Sequence, residues 1–382
     1  MQKTIRSIAR KIRRKFETHR PIVEVGISRA NLLHNLRTYR ERYPDVAFAP
    51  VLKSNAYGHG LCVIAELLDK ENIAFFAVDS FYEARTLRRA GIQSRILIIG
   101  YVRPEEINNN RLQSVDYGII DIIQLQDLVR IATKPIRIHL KIDTGMHRQG
   151  ILPQDLEKAI VLIKSNSHLS VVGICSHFAD AENSDQSFTQ KQIAVWKKIL
   201  PRVADAFPTT EYRHMPATKG IPLSGEMNVN VIRLGIGLYG FDTSLHGDLP
   251  LMPVLEMRSL ISSVREIQSG ESVGYNATHT ATQTSKIATV PAGYFEGVDR
   301  QLSNVGAMQV RGQSCAIAGR VSMNMSSIEV THVHDVAPGD VVTVISRNSS
   351  DINSVEKMAE LSRTTPYVIL VHIPQHLKRI VE

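Results

Sequence analysis

The chain contains few of the residues that stabilise small secreted domains or bind structural metals. Of its 382 residues only three are cysteines, Cys62, Cys175 and Cys315, and they lie far apart without a CxxC or Cys/His metal spacing. The 14 histidines do not cluster, since the nearest pair is His332 and His334. Neither a disulfide framework nor a metal site is therefore expected, and a reducing cytoplasm is the expected compartment.

The sequence also lacks long apolar runs. No stretch approaches the roughly 18 consecutive apolar residues of a membrane-spanning helix, so no integral membrane segment is expected. Hydrophobic residues make up 43% and charged residues 21% of the chain, which are globular values. A length of 382 residues favours a barrel-sized domain of roughly 200 to 250 residues followed by a smaller one.

Positive charge is concentrated at the N-terminus. The first 20 residues hold eight Lys or Arg and one Glu, a net +7, which leaves +1 of the formal +8 for the remainder. The body of the protein thus has no general basic surface for nucleic acid. Ile5, Ile8 and Ile12 recur at helical spacing and predict a basic amphipathic helix. A solubilising extension, a membrane-surface contact and a transit-type peptide remain open for it.

Short β-branched runs alternate with amphipathic stretches over residues 21–250, a pattern typical of repeated strand–helix units. Helices are predicted to begin after Ser28 and Ser80, the second ending at Gly91. About eight such units predict a (β/α)8 barrel of the TIM type, in which functional side chains follow the carboxyl ends of strands. The strand candidates are residues 22–26, 47–52, 75–78, 96–99, 136–142, 171–175 and 229–234.

The sequence pattern changes after residue 250. Alternating strands with Gly, Ser, Asn and Asp turns follow, and long helices are not expected before about Val355. A turn at residues 337–340 leads into a strand at 341–344. We therefore expect a mainly antiparallel β domain at 251–382, after the extension at 1–20 and the barrel at 21–250.

One lysine stands where an apolar run meets a glycine-bearing turn. This is Lys53 in VLKSNAYGHG, residues 51–60. Most lysines are solvated surface charges. The segment, however, resembles the cofactor-lysine signature of the alanine racemase family. The resemblance implies that Lys53 forms a Schiff base with pyridoxal phosphate and that Tyr57 contacts the phosphate.

The resemblance covers residues 22–382 in separated blocks that keep the family's order and spacing. Besides the lysine segment they are KIDTGMHR (141–148), SHFADAE (176–182), HMPAT (214–218), VIRLGIGLYG (231–240), VGYNAT (273–278), AGYFEG (292–297), GRVSMN (319–324) and TPY (365–367). It implies an alanine racemase that interconverts L- and D-alanine, supplies D-alanine for peptidoglycan, and works as a homodimer with two shared active sites.

Racemisation needs an electron sink and two bases, because a weakly acidic Cα proton leaves one face and another arrives on the opposite face. By resemblance the bases are Lys53 and Tyr275, and Tyr275 reaches across a dimer interface into the partner's barrel. A free phenol titrates near pH 10, so a nearby cation is needed to stabilise its anion. The resemblance places His177 where it helps to orient Tyr275 and the arginine on the cofactor side.

Three cationic residues acquire roles from the resemblance. Arg148 binds the substrate carboxylate, for which a planar guanidinium fork is well suited, and Lys141 supports Arg148. The sequence leaves carbamylation of Lys141 open. Arg233 lies against the pyridine nitrogen of the cofactor and leaves it unprotonated, since arginine does not readily give up its proton. This weakens the electron sink and limits side reactions such as transamination.

A phosphate dianion binds best to backbone amides and hydroxyls where glycine allows close approach. By resemblance Gly235 and Ile236 supply amides, and Tyr57, Thr218 and Tyr367 supply hydroxyls. Thr218 departs from the commoner serine preceded by asparagine, but the hydroxyl is retained.

Two residues are matched to the substrate entrance. Tyr294 lines it, and Met323 offers a backbone amide to the substrate carboxylate. Asn324 replaces the usual aspartate, and Phe295-Glu296 replaces the usual Ala-Asp. These departures leave substrate identity open, so a racemase of serine, lysine or several amino acids is an alternative. A non-catalytic cofactor carrier would lack the β domain, and a decarboxylase on a similar barrel would carry an acid in place of Arg233.

Overall fold

A computed structural model describes residues 21–242 and 248–382. The basic amphipathic helix expected in the first 20 residues lies outside the described residues. The chain forms two compact units. The larger consists of Ile27–Leu255 with Val381–Glu382, and the smaller contains Glu256–Ile380 together with the segment that ends at Gly26.

The elements of the described residues follow in chain order. The strands are β1 (Glu24–Ile27), β2 (Ala47–Pro50), β3 (Phe76–Val78), β4 (Ile96–Ile98), β5 (Val115–Ile119), β6 (Ile136–Lys141), β7 (Leu169–Cys175), β8 (Tyr212–His214), β9 (Val231–Leu234), β10 (Leu255–Leu260), β11 (Ser263–Ile267), β12 (Ser272–Val273), β13 (His279–Thr280), β14 (Ser285–Val290), β15 (Ala307–Val310), β16 (Gln313–Ala316), β17 (Ser326–Glu329), β18 (Val341–Ile345) and β19 (Lys378–Val381). The α-helices are α1 (Arg29–Arg42), α2 (Leu61–Leu68), α3 (Phe81–Ala90), α4 (Pro104–Asn109), α5 (Ile122–Ile131), α6 (Leu156–Lys164), α7 (Ser187–Ala206), α8 (Val355–Leu361) and α9 (Pro366–Val371). Short 3-10 segments are Pro153–Asp155, Thr218–Glu226, Ile236–Tyr239, Tyr275–Ala277 and Arg300–Leu302.

The larger unit is a closed barrel of parallel strands. Strands β3 to β8 form a six-stranded sheet in sequence order, and β2 pairs with β9. Single parallel bridges between Val51 and Ala77 and between Ala217 and Arg233 join the two sheets. The ring therefore runs from β2 to β9 and back to β2, which confirms the predicted TIM-type barrel followed by a β domain.

Two barrel strands, β5 and β8, have no counterpart among the sequence-based strand candidates. Asp116 and Gly118 interrupt the apolar pattern of β5, and Arg213 and His214 interrupt that of β8. Their backbones nevertheless pair in the parallel sheet, β5 with β4 and β6, and β8 with β7. Tertiary pairing here overrides local composition.

Side-chain caps fix where the barrel helices begin. The Ser28 side chain accepts a hydrogen bond from the amide of Asn31 before α1. Ser80 and Glu83 form a capping box before α3, and this helix ends at Gly91 in a left-handed conformation. The helix predicted between Ser80 and Gly91 is therefore confirmed.

The smaller unit contains three β-sheets within the described residues. One has six strands in the order β16-β15-β18-β10-β1-β19, one has the order β11-β14-β17, and β12 pairs with β13. The strand expected at residues 22–26 as the first barrel strand is found at Glu24–Ile27, where it lies between β10 and β19. Assigning it to the barrel was wrong, because β2 and β9 already close that ring.

Among the described residues, no helix combines the length and hydropathy needed to cross a bilayer.

Candidate active site

Lys53 begins a left-handed turn directly after the barrel strand β2. Four consecutive non-glycine residues, Ser54, Asn55, Ala56 and Tyr57, have φ values of 56°, 56°, 53° and 51°. Such residues occupy a sparsely populated backbone region, and several in succession persist only where surrounding contacts fix them. Backbone strain of this kind concentrates at functional sites.

Side chains from neighbouring segments hold this turn. The amide of Ser54 donates to Glu83 Oε1 at 2.7 Å, and the amide of Leu61 donates to Asn55 Oδ1 at 2.9 Å. Glu83 also caps α3, so one carboxylate joins the helix start to the lysine turn. The sequence identified Glu83 only as part of a helix, because its contact with Ser54 depends on the fold.

Tyr57, Thr218, Gly235 and Ile236 lie close together. A Cβ atom added to Gly235 would lie 3.1 Å from Tyr57 Oη and 3.9 Å from Thr218 Oγ1, so glycine allows both hydroxyls to approach the backbone. The amide of Gly237 donates to Thr218 Oγ1 at 3.2 Å. Ile236 opens a 3-10 turn, and the first amides of such a turn have no acceptor inside it. Hydroxyls and amides arranged in this way suit a phosphate dianion.

Arg233 is buried in the barrel interior, and both terminal nitrogens of its guanidinium have hydrogen-bond partners. Its Nη1 donates to His214 Nδ1 at 2.7 Å and to the His214 carbonyl at 2.8 Å. Its Nη2 donates to the carbonyls of Ser176 and Met215 at 2.7 and 2.9 Å and lies 3.2 Å from His177 Nδ1. Burial lowers the pKa of Arg233, but these acceptors match the donors of a charged guanidinium.

His177 is held in its neutral form. Burial, followed in order of influence by the charges of Arg233, Arg148, Lys141 and Lys53, lowers its pKa to about 3. A neutral ring can accept the proton that Arg233 directs at Nδ1. His177 Nδ1 and Arg233 Nη2 therefore lie within hydrogen-bonding distance of each other.

Lys141 lies at the end of β6 in the same electropositive region. Its Nζ donates to Gln149 Oε1 at 2.9 Å, a partner that the sequence reasoning missed. Burial lowers the pKa of Lys141, and the charges of Arg233, Arg148 and Lys53 lower it further against an opposing effect of Cys175. Several cations that influence one another here provide a region suited to anions such as a phosphate or a carboxylate.

The four other predicted residues belong to the smaller unit. Tyr275 lies between β12 and β13 and is 67% exposed. Tyr294 and Met323 are 44% and 56% exposed. Their loops pair through hydrogen bonds from the Tyr294 amide to the Ser322 carbonyl at 3.0 Å and from the Phe295 amide to the Met323 carbonyl at 2.8 Å. Tyr367 is the second residue of α9 and is half-buried.

The departures at residues 296 and 324 are structurally linked. Asn324 Nδ2 donates to Glu296 Oε1 at 2.9 Å, and Glu296 Oε2 accepts from the Gly293 amide at 2.9 Å. Glu296 is buried. An aspartate at 324 would place a second carboxylate against it, so asparagine at 324 suits glutamate at 296.

Comparison with known proteins shows the family of the chain. The family model "Alanine racemase, N-terminal domain" matches residues 27–243, and "Alanine racemase, C-terminal domain" matches residues 254–381. The chain belongs to the alanine racemase family. The alanine racemase of Carboxydothermus hydrogenoformans is 33% identical over 371 residues, which are 94% of this chain and 99% of that protein. The alanine racemase of Staphylococcus carnosus is 32% identical over 360 residues, 92% of each chain.

Solved structures of alanine racemases share the fold. That from Clostridium difficile 630 superposes with a TM-score of 0.88 at 26% identity and covers 96% of this chain and 97% of its own. That from E. faecalis gives 0.87 at 28% identity and covers 96% and 99%. Membership of the alanine racemase family makes the chain an isomerase, and no group of three His, Cys, Asp or Glu among the described residues could hold a metal ion.

Proposed function

We propose that this chain is a pyridoxal-phosphate-dependent alanine racemase that interconverts L- and D-alanine. The observation that carries the proposal is the strained turn from Lys53 to Tyr57, which leads from a primary amine to a cradle of hydroxyls and amides. An amine and a dianion site this close in sequence suit a cofactor that carries an aldehyde and a phosphate.

The residues present fit pyridoxal phosphate. Lys53 would attach it covalently, Tyr57, Thr218, Gly235 and Ile236 would hold its phosphate, and Tyr367 would add a hydroxyl. When bound, the cofactor supplies an electron sink for the pair of electrons left on Cα. Arg233 would lie against the ring nitrogen. Because a guanidinium keeps its proton, it would leave that nitrogen unprotonated and restrict side reactions.

Two groups would move the proton at the substrate Cα. The amine of Lys53 serves one face, and the phenol of Tyr275 from a second copy of the chain serves the other. The exposure of Tyr275 supports this role, because 67% of the residue is not covered by its own chain. His177, neutral and adjacent to Arg233, would orient the phenol.

Substrate binding depends on cations and an amide. Arg148 would form a charge-assisted pair with the substrate carboxylate, and the Met323 amide would donate a further hydrogen bond. Lys141, held by Gln149 Oε1, would support the position of Arg148.

A homodimer with shared sites is part of the proposal. Tyr275, Tyr294, Phe295, Met323 and Met325 are exposed to between 44% and 67%. Such a group of exposed apolar side chains is typical of an association surface. The product D-alanine would serve peptidoglycan synthesis in the cytoplasm.

Turnover of a panel of L-amino acids by the purified protein with pyridoxal phosphate tests the reaction. We expect alanine to be racemised fastest, because the buried Glu296 already accepts hydrogen bonds on both carboxylate oxygens, from Asn324 and the Gly293 amide, and so offers no open acceptor to a polar substrate. Equal or faster turnover of serine or lysine would favour the alternative racemase. Absence of racemisation of every substrate would contradict the proposal.

Replacing Lys53 tests cofactor attachment separately. Lys53→Ala should abolish the visible absorbance of the covalently bound cofactor and the racemase activity, because the amine that bonds to its aldehyde is lost. Lys70→Ala, which changes an exposed lysine, is the matched control and should retain both. Undiminished absorbance in Lys53→Ala would contradict the assignment.

A further inference from the structure

The interior of the barrel contains a group of polar residues that the proposed reaction does not use. Barrel interiors are usually filled by branched apolar side chains. Here Asp116 of β5, His139 of β6 and His214 of β8 each have 0% exposure. Burying three titratable groups is costly unless they are hydrogen-bonded to one another.

These residues form a continuous chain of hydrogen bonds that ends at Arg233. Arg233 Nη1 and His214 Nδ1 are 2.7 Å apart, and His214 Nε2 and His139 Nδ1 are 2.8 Å apart. His139 Nε2 lies 3.5 Å from Asp116 Oδ2. At the far end, Asp116 Oδ1 accepts from Arg95 Nη1 at 2.8 Å and from Arg137 Nε at 3.0 Å.

Donor and acceptor chemistry fixes the direction of donation along this series of hydrogen bonds. A guanidinium only donates, so His214 Nδ1 must accept from Arg233 and carry no proton. His214 then has its proton on Nε2 and donates it to His139 Nδ1. By the same reasoning His139 has its proton on Nε2 and donates it to Asp116. One protonation state satisfies every contact: a charged Arg233, two neutral imidazoles protonated at Nε2, and an ionised Asp116.

The backbone beside His139 leaves space for its imidazole ring. A Cβ atom added to Gly173 of β7 would lie 2.2 Å from His139 Nδ1, so no larger residue fits beside the ring. The β6–β7 register shifts between Ile138 and His139. Phe75 packs edge-on against both imidazoles, with ring centroids 5.6 Å from His139 and 5.4 Å from His214. The two rings therefore have little freedom to rotate out of the chain.

This series of hydrogen bonds connects Arg233 to a carboxylate, that of Asp116, which Arg233 does not contact directly. Among the described residues, the hydrogen-bond partners of the Arg233 guanidinium are two imidazoles and three main-chain carbonyls. Successive hydrogen bonds in a dry interior polarise one another. The negative charge of Asp116 can therefore stabilise the Arg233 guanidinium through the two imidazoles between them. Burial and the charge of Arg233 both lower the pKa of His214, which keeps that ring neutral.

We propose that Asp116, His139 and His214 are positioning residues that fix the orientation and charge of Arg233 from inside the barrel. The proposal rests on the proposed function, in which Arg233 contacts the ring nitrogen of pyridoxal phosphate. The array would thereby set how strongly the cofactor is held and how well it withdraws electrons, although none of its three members touches the cofactor.

Nitrogen NMR of the full chain labelled with ¹⁵N-histidine tests the array without reference to activity. His139 and His214 should each show a protonated Nε2 and an unprotonated Nδ1, with and without added pyridoxal phosphate, and neither should titrate between about pH 6 and 8. A proton on Nδ1 of His214, or titration of either ring in that interval, would overturn the proposal.

Asp116→Asn tests the link to Arg233, with Glu211→Gln as the matched control. Glu211 pairs with Arg137 on the exposed side at 3.3 Å, so the control also removes an acid beside Arg137 but leaves Asp116 in place. In Asp116→Asn we expect the His214 Nδ1 resonance to shift, pyridoxal phosphate to bind about tenfold more weakly, and kcat to fall about tenfold with little change in KM for alanine. Glu211→Gln should leave all of these unchanged.

The outcomes separate a positioning role from a structural one. A lower melting temperature in Asp116→Asn with the His214 resonance, cofactor affinity and kcat unchanged would assign Asp116 to stability alone and overturn the proposal. If Asp116→Asn does not fold, His139→Gln takes its place with the same readouts. If the unmodified protein racemises no amino acid, the proposed function fails, but the tautomer measurement still decides whether the array exists.

Discussion

At the scale of single residues, the structure gives the predicted site a specific polarity. Burial lowers the pKa of His177, and the charges of four nearby cations, Arg233, Arg148, Lys141 and Lys53, lower it further. The ring therefore stays neutral and can accept a hydrogen bond. An isolated histidine after a strand would not have predicted this state, because it depends on burial in the fold and on cations contributed by three separate segments.

Tyr275 is the residue on which a two-base mechanism depends most directly. Tyr275→Phe should slow exchange of the Cα proton of one alanine enantiomer by far more than that of the other, because only one face loses its base. Proton exchange from each enantiomer in deuterated water measures this asymmetry. Tyr82→Phe, an exposed tyrosine at the start of α3, is the control. Equal slowing of both enantiomers would contradict a base that serves one face.

Sequence reasoning identified the residues that occur in contiguous motifs and missed those that meet only in the fold. It could identify Lys53, Arg233 and Gly235, because each lies in a contiguous sequence motif. It could not identify Glu83 and Gln149, since their contacts with Ser54 and Lys141 span 29 and 8 residues and follow no local pattern.

At the scale of elements, the turn after Lys53 relies on a helix cap. Glu83 Oε2 accepts from the Asp79 and Ser80 amides at 2.8 and 3.3 Å, while its Oε1 accepts from Ser54. Removing this side chain leaves several amides without their acceptor and releases a left-handed segment that is unfavourable without support.

Glu83→Ala should therefore lower the free energy of unfolding by about 1–2 kcal/mol and reduce cofactor binding as well. Urea denaturation and titration with pyridoxal phosphate measure the two effects. Glu83→Gln keeps one acceptor oxygen and should fall between Glu83→Ala and the unmodified protein. A loss of stability with cofactor binding unchanged would show that the cap does not position the lysine turn.

The hydrogen bond between Glu296 and Asn324, which joins two loops, leads to a second prediction about the elements. Asn324→Asp should lower stability by about 1–3 kcal/mol, because a second carboxylate would replace the hydrogen-bond donor that faces the buried Glu296. The double variant Asn324→Asp with Glu296→Gln restores one donor and one carboxylate and should recover most of the loss. Thermal unfolding of the three variants tests this, and additive losses in the double variant would contradict the pairing.

Strand β1 shows the limit of pattern reasoning for elements. Its apolar residues indicate a strand, but side-chain alternation does not specify which neighbour a strand pairs with. The expected barrel assignment followed from position in the chain. The observed pairing with β10 and β19 depends on strands more than 200 residues away.

At the scale of the whole molecule, the barrel was predictable because strand–helix alternation extends over its full length. Its polar interior was not. Asp116 and His139 interrupt apolar strands, and from sequence such residues indicate strand ends or exposed faces rather than a buried chain. Only the closed ring of β2 to β9 brings β5, β6, β8 and β9 close enough for their polar side chains to meet.

A polar interior makes the fold sensitive to acid. Burial lowers the pKa of His139, His177 and His214 in the folded protein below their unfolded value near 6.5. Below about pH 6.5 the unfolded chain therefore binds more protons than the folded chain, and stability rises with pH through this range. The lowered pKa of Asp116 acts in the same direction at lower pH, because its ionised form stabilises the fold and is lost on acidification.

We therefore expect the cofactor-free protein to lose stability between about pH 6.5 and 5, each of the three histidines contributing up to about 1.4 kcal/mol per pH unit. Urea midpoints at several pH values measure the slope. His177→Asn should make the slope shallower, because one buried neutral imidazole is removed, whereas His372→Asn at an exposed position should leave it unchanged. Constant or increasing stability on acidification would mean that the buried imidazoles are charged in the folded protein. For His139 and His214, the single protonation state of the Asp116–His139–His214–Arg233 hydrogen-bond chain does not allow that charge.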